Sequence, residues 1–230
     1  MKVTFIDHSG FLVELKKSVL LFDYYKGEIP DIQGKHWYVF ASHFHEDHFQ
    51  PEIFKLREKQ ETITYILSKD IRQYRKHLLK EPYHIVSWNE SYKIDGISVQ
   101  TFQSTDEGCA FYVQAEGKSI FHAGDLNWWH WFGEPEEDNR RMEVDFKAQI
   151  GRLEEKEIDL AFMLLDPRQE QAYDWAMNYF MEHTKAKAVL PMHMWEKFSW
   201  CQKYMNTEKG KQNARRFYPV KKTGETFSIS

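Results

Sequence analysis

The hydrophobic and polar positions along the chain follow two rhythms. Through residue 125, short apolar runs recur between turn-forming or charged residues: VTFID, FLVEL, SVLLFD and WYVFAS, then ITYIL, HIVSW, YKIDG, SVQTF, AFYVQAEG and SIFHAGD. Runs of this length, bounded by such residues, predict strands. The AEGK between the last two is a hairpin turn signal. Helices are expected to interrupt the strands at Pro51–Lys59 and Lys69–Leu79. Further on the spacing becomes helical: across residues 138–156, Met142, Phe146, Ile150 and Leu153 fall on one face. Helices over 169–183 and 195–207 alternate with strands at DLAFMLL and AKAVLPM. Antiparallel strands followed by β-α-β-α units predict sheet layers covered by helices.

No repeat, low-complexity tract or Pro/Gly/Ser linker divides the 230 residues, so a single domain over 1–230 is expected. With 42% hydrophobic and 16% aromatic residues, the chain can fill a sizeable core. A formal net charge of −4 gives no field suited to a polyanion, so nucleic acid is not indicated as a partner. Cys109 and Cys201 are too few for a disulfide framework or a four-thiolate zinc site. The opening MKVTFIDHSG lacks a signal peptide's apolar core, and no stretch approaches a membrane span. A soluble cytoplasmic protein is the expectation.

Against this background the segment SHFHEDH (42–48) stands out, because crowded imidazoles and carboxylates resist leaving water. It follows the strand WYVFAS. An extended backbone there would point His43 and His45 the same way and Phe44 into the packing. Asp47 and His48 follow in the turn, where they can aim back at the same space. A divalent cation replaces mutual repulsion with coordination: two imidazoles suit one metal, and the adjacent carboxylate–imidazole pair begins a second site. Two distant segments offer more donors. IFHAGD ends a strand on Asp125, after a glycine that permits close backbone approach, and VLPMHM ends another on His193. Taken singly, Asp125 also reads as a cap and His193 as a core histidine. Beside the first cluster they become candidate ligands.

SHFHEDH, AGD (123–125) and PMH (191–193), in this order after the opening IDHSGFLVEL…SVLLFD, resemble the metallo-β-lactamase superfamily. Within it they look most like the branch of L-ascorbate-6-phosphate lactonase and related metal-dependent hydrolases. The resemblance implies an α+β four-layer αβ/βα sandwich, two mixed sheets covered by helices, with metals held by loops at one edge. By position it implies His43 and His45 on the first metal, Asp47, His48 and His193 on the second, and Asp125 bridging. Most members supply a further histidine to the first metal, but the corresponding QSTDEGCAFYV has none. Asp106 is the candidate replacement, giving an oxygen-richer site that favours manganese or magnesium relative to zinc. The alternative is an incomplete first site. The cofactor expected is two Zn²⁺, with Mn²⁺ as the other option.

Two metals imply hydrolysis, with a water whose pKa falls to about 7 and a polarised carbonyl or phosphoryl oxygen. Asp47 and His193 are the residues assigned to catalysis, Asp47 also as orienter of the water or acceptor of its proton. His8, in the turn before FLVEL, is a candidate substrate contact and equally a plain turn residue. In LNWWHWFGEPEED, Trp128, Trp129 and His130 are candidate pocket walls, as are Trp131 and Phe132; core filling or a subunit interface is the competing reading. The basic tail KGKQNARRFYPVKK reads first as a solvated face. The expected activity is hydrolysis of a small ester, lactone or phosphoester, with a small molecule as partner and a homo-oligomer left open. Two alternatives stand beside it. One is a non-catalytic or single-metal binding protein. The other is a nuclease of the same fold, which would call for a nucleic-acid-binding domain or basic stripe that the sequence lacks.

Overall fold

A computed structural model describes residues 1–230. Thirteen strands form two sheets. The first contains β1 (Lys2–Asp7), β2 (Gly10–Glu14), β3 (Ser18–Phe22), β4 (His36–Ala41), β5 (Ile63–Ser68) and β6 (His84–Val86). The second contains β7 (Ser91–Ile94), β8 (Ile97–Gln103), β9 (Cys109–Ala115), β10 (Lys118–His122), β11 (Leu160–Leu164) and β12 (Val189–Met192). The last strand, β13 (Thr226–Ser228), returns to the first sheet, whose order is β13-β1-β2-β3-β4-β5-β6; the second runs β12-β11-β10-β9-β8-β7. Both are mixed: β3 to β6 and β10 to β12 pair in parallel, the remaining pairs antiparallel.

The first sheet is buried on both faces, which is why its strands read as continuous apolar runs. Alternation still sorts its side chains. Phe11, Leu20, Phe22, Tyr38 and Phe40 join the core shared with the second sheet. Leu12, Val19, Leu21, Trp37 and Val39 join a separate outer core. That outer core is roofed by Ile53, Phe54 and Leu56 of a 3₁₀ helix, Pro51–Glu58, and by Ile71 of α1 (Lys69–Tyr74). Between the sheets, Phe11 stacks on Phe162 at 4.0 Å and Phe22 on His122 at 5.1 Å. Beyond the second sheet lie α2 (Glu136–Gly151), α3 (Trp175–His183), α4 (Ser199–Asn206) and α5 (Glu208–Asn213). Phe121, the neighbour of inward-facing His122, stacks on Phe180 of α3 at 5.6 Å. The result is the helix–sheet–sheet–helix sandwich. No helix is long and apolar enough to cross a membrane.

Several boundaries differ from the sequence reading. The helix expected over 69–79 breaks at Arg75 and continues as a 3₁₀ turn, Lys76–Leu78. That expected over 169–183 is a 3₁₀ segment, Pro167–Ala172, followed by α3, because Glu170 takes the left-handed φ of 51°. The helix expected from 195 starts at Ser199, after Trp195 and Glu196 at positive φ. The basic tail is not merely a solvated face. Arg216 donates to the carbonyls of Met181, Thr184 and Ala186, and Phe217 and Val220 are buried.

Candidate metal centre

The C-terminal ends of the parallel strands supply most of the chemistry, the usual place for a site in such sheets. Asp23 follows β3, the 42–48 loop follows β4, Asp125 follows β10, Asp166 follows β11 and His193 follows β12. The β1–β2 turn adds His8 and the β8–β9 turn adds Asp106. The two sheets meet tightly here. Cys109 N–H donates to Ser42 O at 3.0 Å, and a Cβ on Gly108 would fall 2.0 Å from that oxygen. Gly124, at φ +54°, brings Asp125 in against Ser42, where a Cβ would sit 2.8 Å from the serine Cβ. These two glycines permit the approach that joins the donors from both sheets.

Two groups result. The ligand atoms of His8, Asp47, His48 and His193 lie within 4.8 Å of one another, as do those of His43, His45, Asp106 and Asp125. Asp125 stands between the groups. Its Oδ1 is 3.2 Å from His48 Nε2 and 3.3 Å from His193 Nε2, while Oδ2 is 3.7 Å from His43 Nε2. His8 Nε2 is 3.2 Å from Asp47 Oδ2, and His43 Nε2 is 3.0 Å from His45 Nδ1. His45 Nδ1 and Asp106 Oδ2 are 3.7 Å apart at the exposed rim.

Most of these imidazoles are oriented from behind. His48 Nδ1 donates to Asp23 Oδ2 at 2.8 Å and His193 Nδ1 to Asp166 Oδ2 at 2.9 Å. Ser42 Oγ donates to Asp23 Oδ2 at 2.6 Å and accepts from His43 Nδ1 at 2.9 Å. Each Nδ1 therefore carries the proton, leaving an Nε2 lone pair aimed into the centre, the arrangement of metal-ligating histidines. Burial lowers the pKa of His43 and His48 well below the ordinary histidine value. Burial, with His8 beside it, takes His193 down to about 4 against the pull of Asp166. All three are neutral, coordination-competent bases at pH 7. Burial raises Asp125 well above the carboxylate range, and the neighbouring Asp106, Asp47 and Asp23 add to the rise. Burial acts the same way on Asp47, but the His8 imidazole beside it and the neighbouring His48 and His193 lower it overall.

The donor set fits a metal by a direct structural test. Nε2 of His8, His48 and His193 and Oδ1 of Asp125 are buried without a hydrogen-bond partner. Stranding four such atoms together costs about 1–3 kcal/mol each, and a shared divalent cation removes that cost. Backbone strain agrees: His8, Asp23 and His193 all take left-handed φ values, 52°, 42° and 65°. Such strain persists where surrounding structure enforces it, characteristically at functional sites.

The centre opens into a cavity of about 240 Å³ lined by Trp129, Trp131, Trp195, Met142 and Arg168 as well as by five of the donors, His45, Asp47, Asp106, Asp125 and His193. Trp129 and Trp131 stack nearly parallel at 5.6 Å, and Trp129 Nε1 donates to Asp125 O at 3.2 Å. Trp128 and His130, expected as pocket walls, turn away from it. The segment alternates in direction, so they face a separate groove of about 750 Å³ between α2 and α3, where Trp128 packs on Trp175 and Tyr179. His8 lies behind the cavity rather than in its wall, its ring 4.1 Å from that of His193. The sequence reading misses Asp23, Asp166, Arg168 and Trp195 as site residues. Asp23 and Asp166 carry a signal nonetheless, since each ends an apolar run as Asp125 does.

A family model described as "Beta-lactamase superfamily domain" matches residues 2–130, more than half of the chain. The chain belongs to the beta-lactamase superfamily. The match carries the 42–48 loop and Asp125, while Asp166 and His193 lie beyond it. This superfamily member is 30% identical over 144 residues to a UPF0173 metal-dependent hydrolase of Desulforamulus reducens, covering 54% of this chain and 62% of that one. The aligned stretch thus spans less than two thirds of that relative's length. A UPF0173 metal-dependent hydrolase of Pelotomaculum thermopropionicum is 25% identical over 212 residues, 84% of each chain. Among solved structures, Igni18, a metallo hydrolase from the archaeon Ignicoccus hospitalis, superposes with a TM-score of 0.69 at 15% identity, covering 100% of this chain and 99% of that one. At that identity the likeness establishes the shared fold.

Proposed function

We propose that this superfamily member is a metal-dependent hydrolase that directs water, with the help of two divalent cations, at a small ester, lactone or phosphoester. The observation that carries the reading is the convergence of four buried, partnerless donor atoms on His8, His48, His193 and Asp125, with the His48 and His193 imidazoles oriented from behind by carboxylates. His8, Asp47, His48 and His193 would hold one cation, and His43, His45 and Asp106 the other, with Asp125 offering an oxygen to each. Bound there, divalent cations would supply a water of lowered pKa, about 7, and a Lewis acid for the oxygen of the scissile group. The three-imidazole group suits zinc, and the group with two carboxylates leans towards manganese.

The protein's own part is positional. Asp47, ionised among His8, His48 and His193 and lining the cavity, would accept a hydrogen bond from a water there and so orient it. Asp23 and Asp166 keep the imidazole lone pairs on target. Trp129 and Trp131 wall off bulk water on one side. The cavity is smaller than the roughly 300–1,000 Å³ of drug-sized ligand sites, which favours a small molecule over a polymer.

A single-metal protein is the second reading. It is favoured by His45 and Asp106, whose side chains are 40% and 42% exposed. Elemental analysis followed by turnover on a panel of lactones, aryl esters and phosphodiesters tests both. Two metal equivalents and turnover above background on one class support the hydrolase. A fully loaded protein inert on every class would sink it.

A further inference from the structure

We infer that Arg168 is the specificity-determining residue of this cavity, binding a carboxylate or phosphate group that the substrate carries apart from the bond it loses. The inference rests on the hydrolytic reading above and names its substrate class. Arg168 is the only lysine or arginine lining the cavity. Its Nε donates to both oxygens of Asp166, at 3.1 and 2.9 Å, and its Nη2 to Oδ2 at 2.5 Å. The same Asp166 oxygen receives His193 Nδ1, so one buried carboxylate fixes both the guanidinium and an imidazole of the metal centre. Nη1 makes no hydrogen bond within the protein, and the side chain is 44% exposed.

The guanidinium is also held by ring faces, its carbon lying 4.8 Å from the Trp195 centroid and 5.8 Å from those of Trp129 and Trp131. A cation fixed on two sides, lining the cavity with Nη1 unpaired, is pre-organised to take a planar or tetrahedral oxyanion. Because the cavity is small, the anionic group and the scissile bond must belong to one compact molecule, whose apolar part lies among the tryptophans. A role confined to neutralising Asp166 would leave anion selectivity untouched, which makes the two accounts separable.

The test is calorimetric titration of metal-loaded protein with benzoate, phenyl phosphate and neutral benzamide, in wild type, Arg168→Gln and Arg168→Lys, with metal content measured on each. Wild type is expected to bind at least one anion more tightly than benzamide. Arg168→Gln should weaken that anion about tenfold, with benzamide unchanged and metal retained, as loss of a charge-assisted contact requires. Whichever anion loses more identifies the group. Should Arg168→Gln shed metal, Arg168→Lys decides, since it keeps the charge but not the fork: a weaker anion supports the inference and an unchanged one overturns it. Unaltered anion binding in a metal-retaining Arg168→Gln, or no anion preference in wild type, also overturns it. A wild-type protein unable to bind metal would instead overturn the hydrolytic reading.

Discussion

Asp23 lies in neither donor group, yet it controls the protonation of both. Its Oδ2 accepts from His48 Nδ1 and Ser42 Oγ, and its Oδ1 from the Ser42 amide at 2.8 Å. Asp23→Asn keeps the shape and leaves one acceptor oxygen. If that oxygen stays with the Ser42 amide, the new NH₂ faces two donors. His48 must then accept at Nδ1 and carry its proton on Nε2, the atom 3.2 Å from Asp125 Oδ1. Ser42 Oγ, deprived of its acceptor, turns to donate to His43 Nδ1, with the same consequence at His43 Nε2. Losing such an outer partner costs metal affinity by about 10–100-fold, or roughly 1.4–2.7 kcal/mol. Stability should change far less. Burial already raises the pKa of Asp23, so removing its charge offsets much of the lost hydrogen bonding, leaving about 1 kcal/mol. Calorimetric titration with Zn²⁺ and Mn²⁺, beside the thermal unfolding of metal-free protein, separates the two effects. Long-range ¹H–¹⁵N spectra of the histidines report the tautomers directly. An Asp23→Asn protein with wild-type metal affinities and His48 still protonated at Nδ1 would refute the reasoning.

Other perturbations act on single parts. Asp106→Ala should weaken only the more exposed group, whereas His193→Ala should empty the buried one and abolish turnover; metal stoichiometry by elemental analysis would contradict this if both variants kept their full complement. Gly108→Ala should destabilise the fold by about 1–3 kcal/mol or more, since its Cβ would sit 2.0 Å from Ser42 O at φ +66°, and an unchanged melting temperature would exclude the close approach described. His193 predicts a pH dependence. Its folded pKa, about 4, lies below the unfolded value near 6.5, so its contribution is present above about 6.5 and lost as pH falls towards 4. In metal-free protein, denaturant titrations from pH 7 to pH 4 should show His193→Asn losing stability less steeply than wild type; parallel curves would contradict the assignment.

The sequence makes the fold legible because both signals that specify it are local. Alternation within β2 to β4 divides Phe11 and Phe22 from Leu12 and Leu21, and the face through Phe146 and Ile150 marks α2. Helix ends are less legible. The break at Glu170 and the late start at Ser199 come with non-glycine residues at positive φ, which the spacing of apolar positions does not mark. The site divides along the same line. His43, His45, Asp47 and His48 are neighbours in sequence, so their crowding is a physical anomaly that the order of residues alone displays. Asp125 and His193 gain meaning only in their company. Asp23 and Asp166 do not stand out, because a lone aspartate after a strand has many ordinary explanations. The distinguishing fact, an imidazole Nδ1 less than 3 Å away, joins residues 25 and 27 positions apart. The 126–132 segment shows the opposite failure. Its aromatic density is plain, but which rings face the metal centre depends on the path of the backbone between two cavities. Trp129 and Trp131 turn to one and Trp128 and His130 to the other. Candidate ligands written close together can thus be read from the order of residues, whereas the residues that aim them are fixed by tertiary contacts, and those contacts leave the Nε2 atoms of His48 and His193 without a partner in the protein.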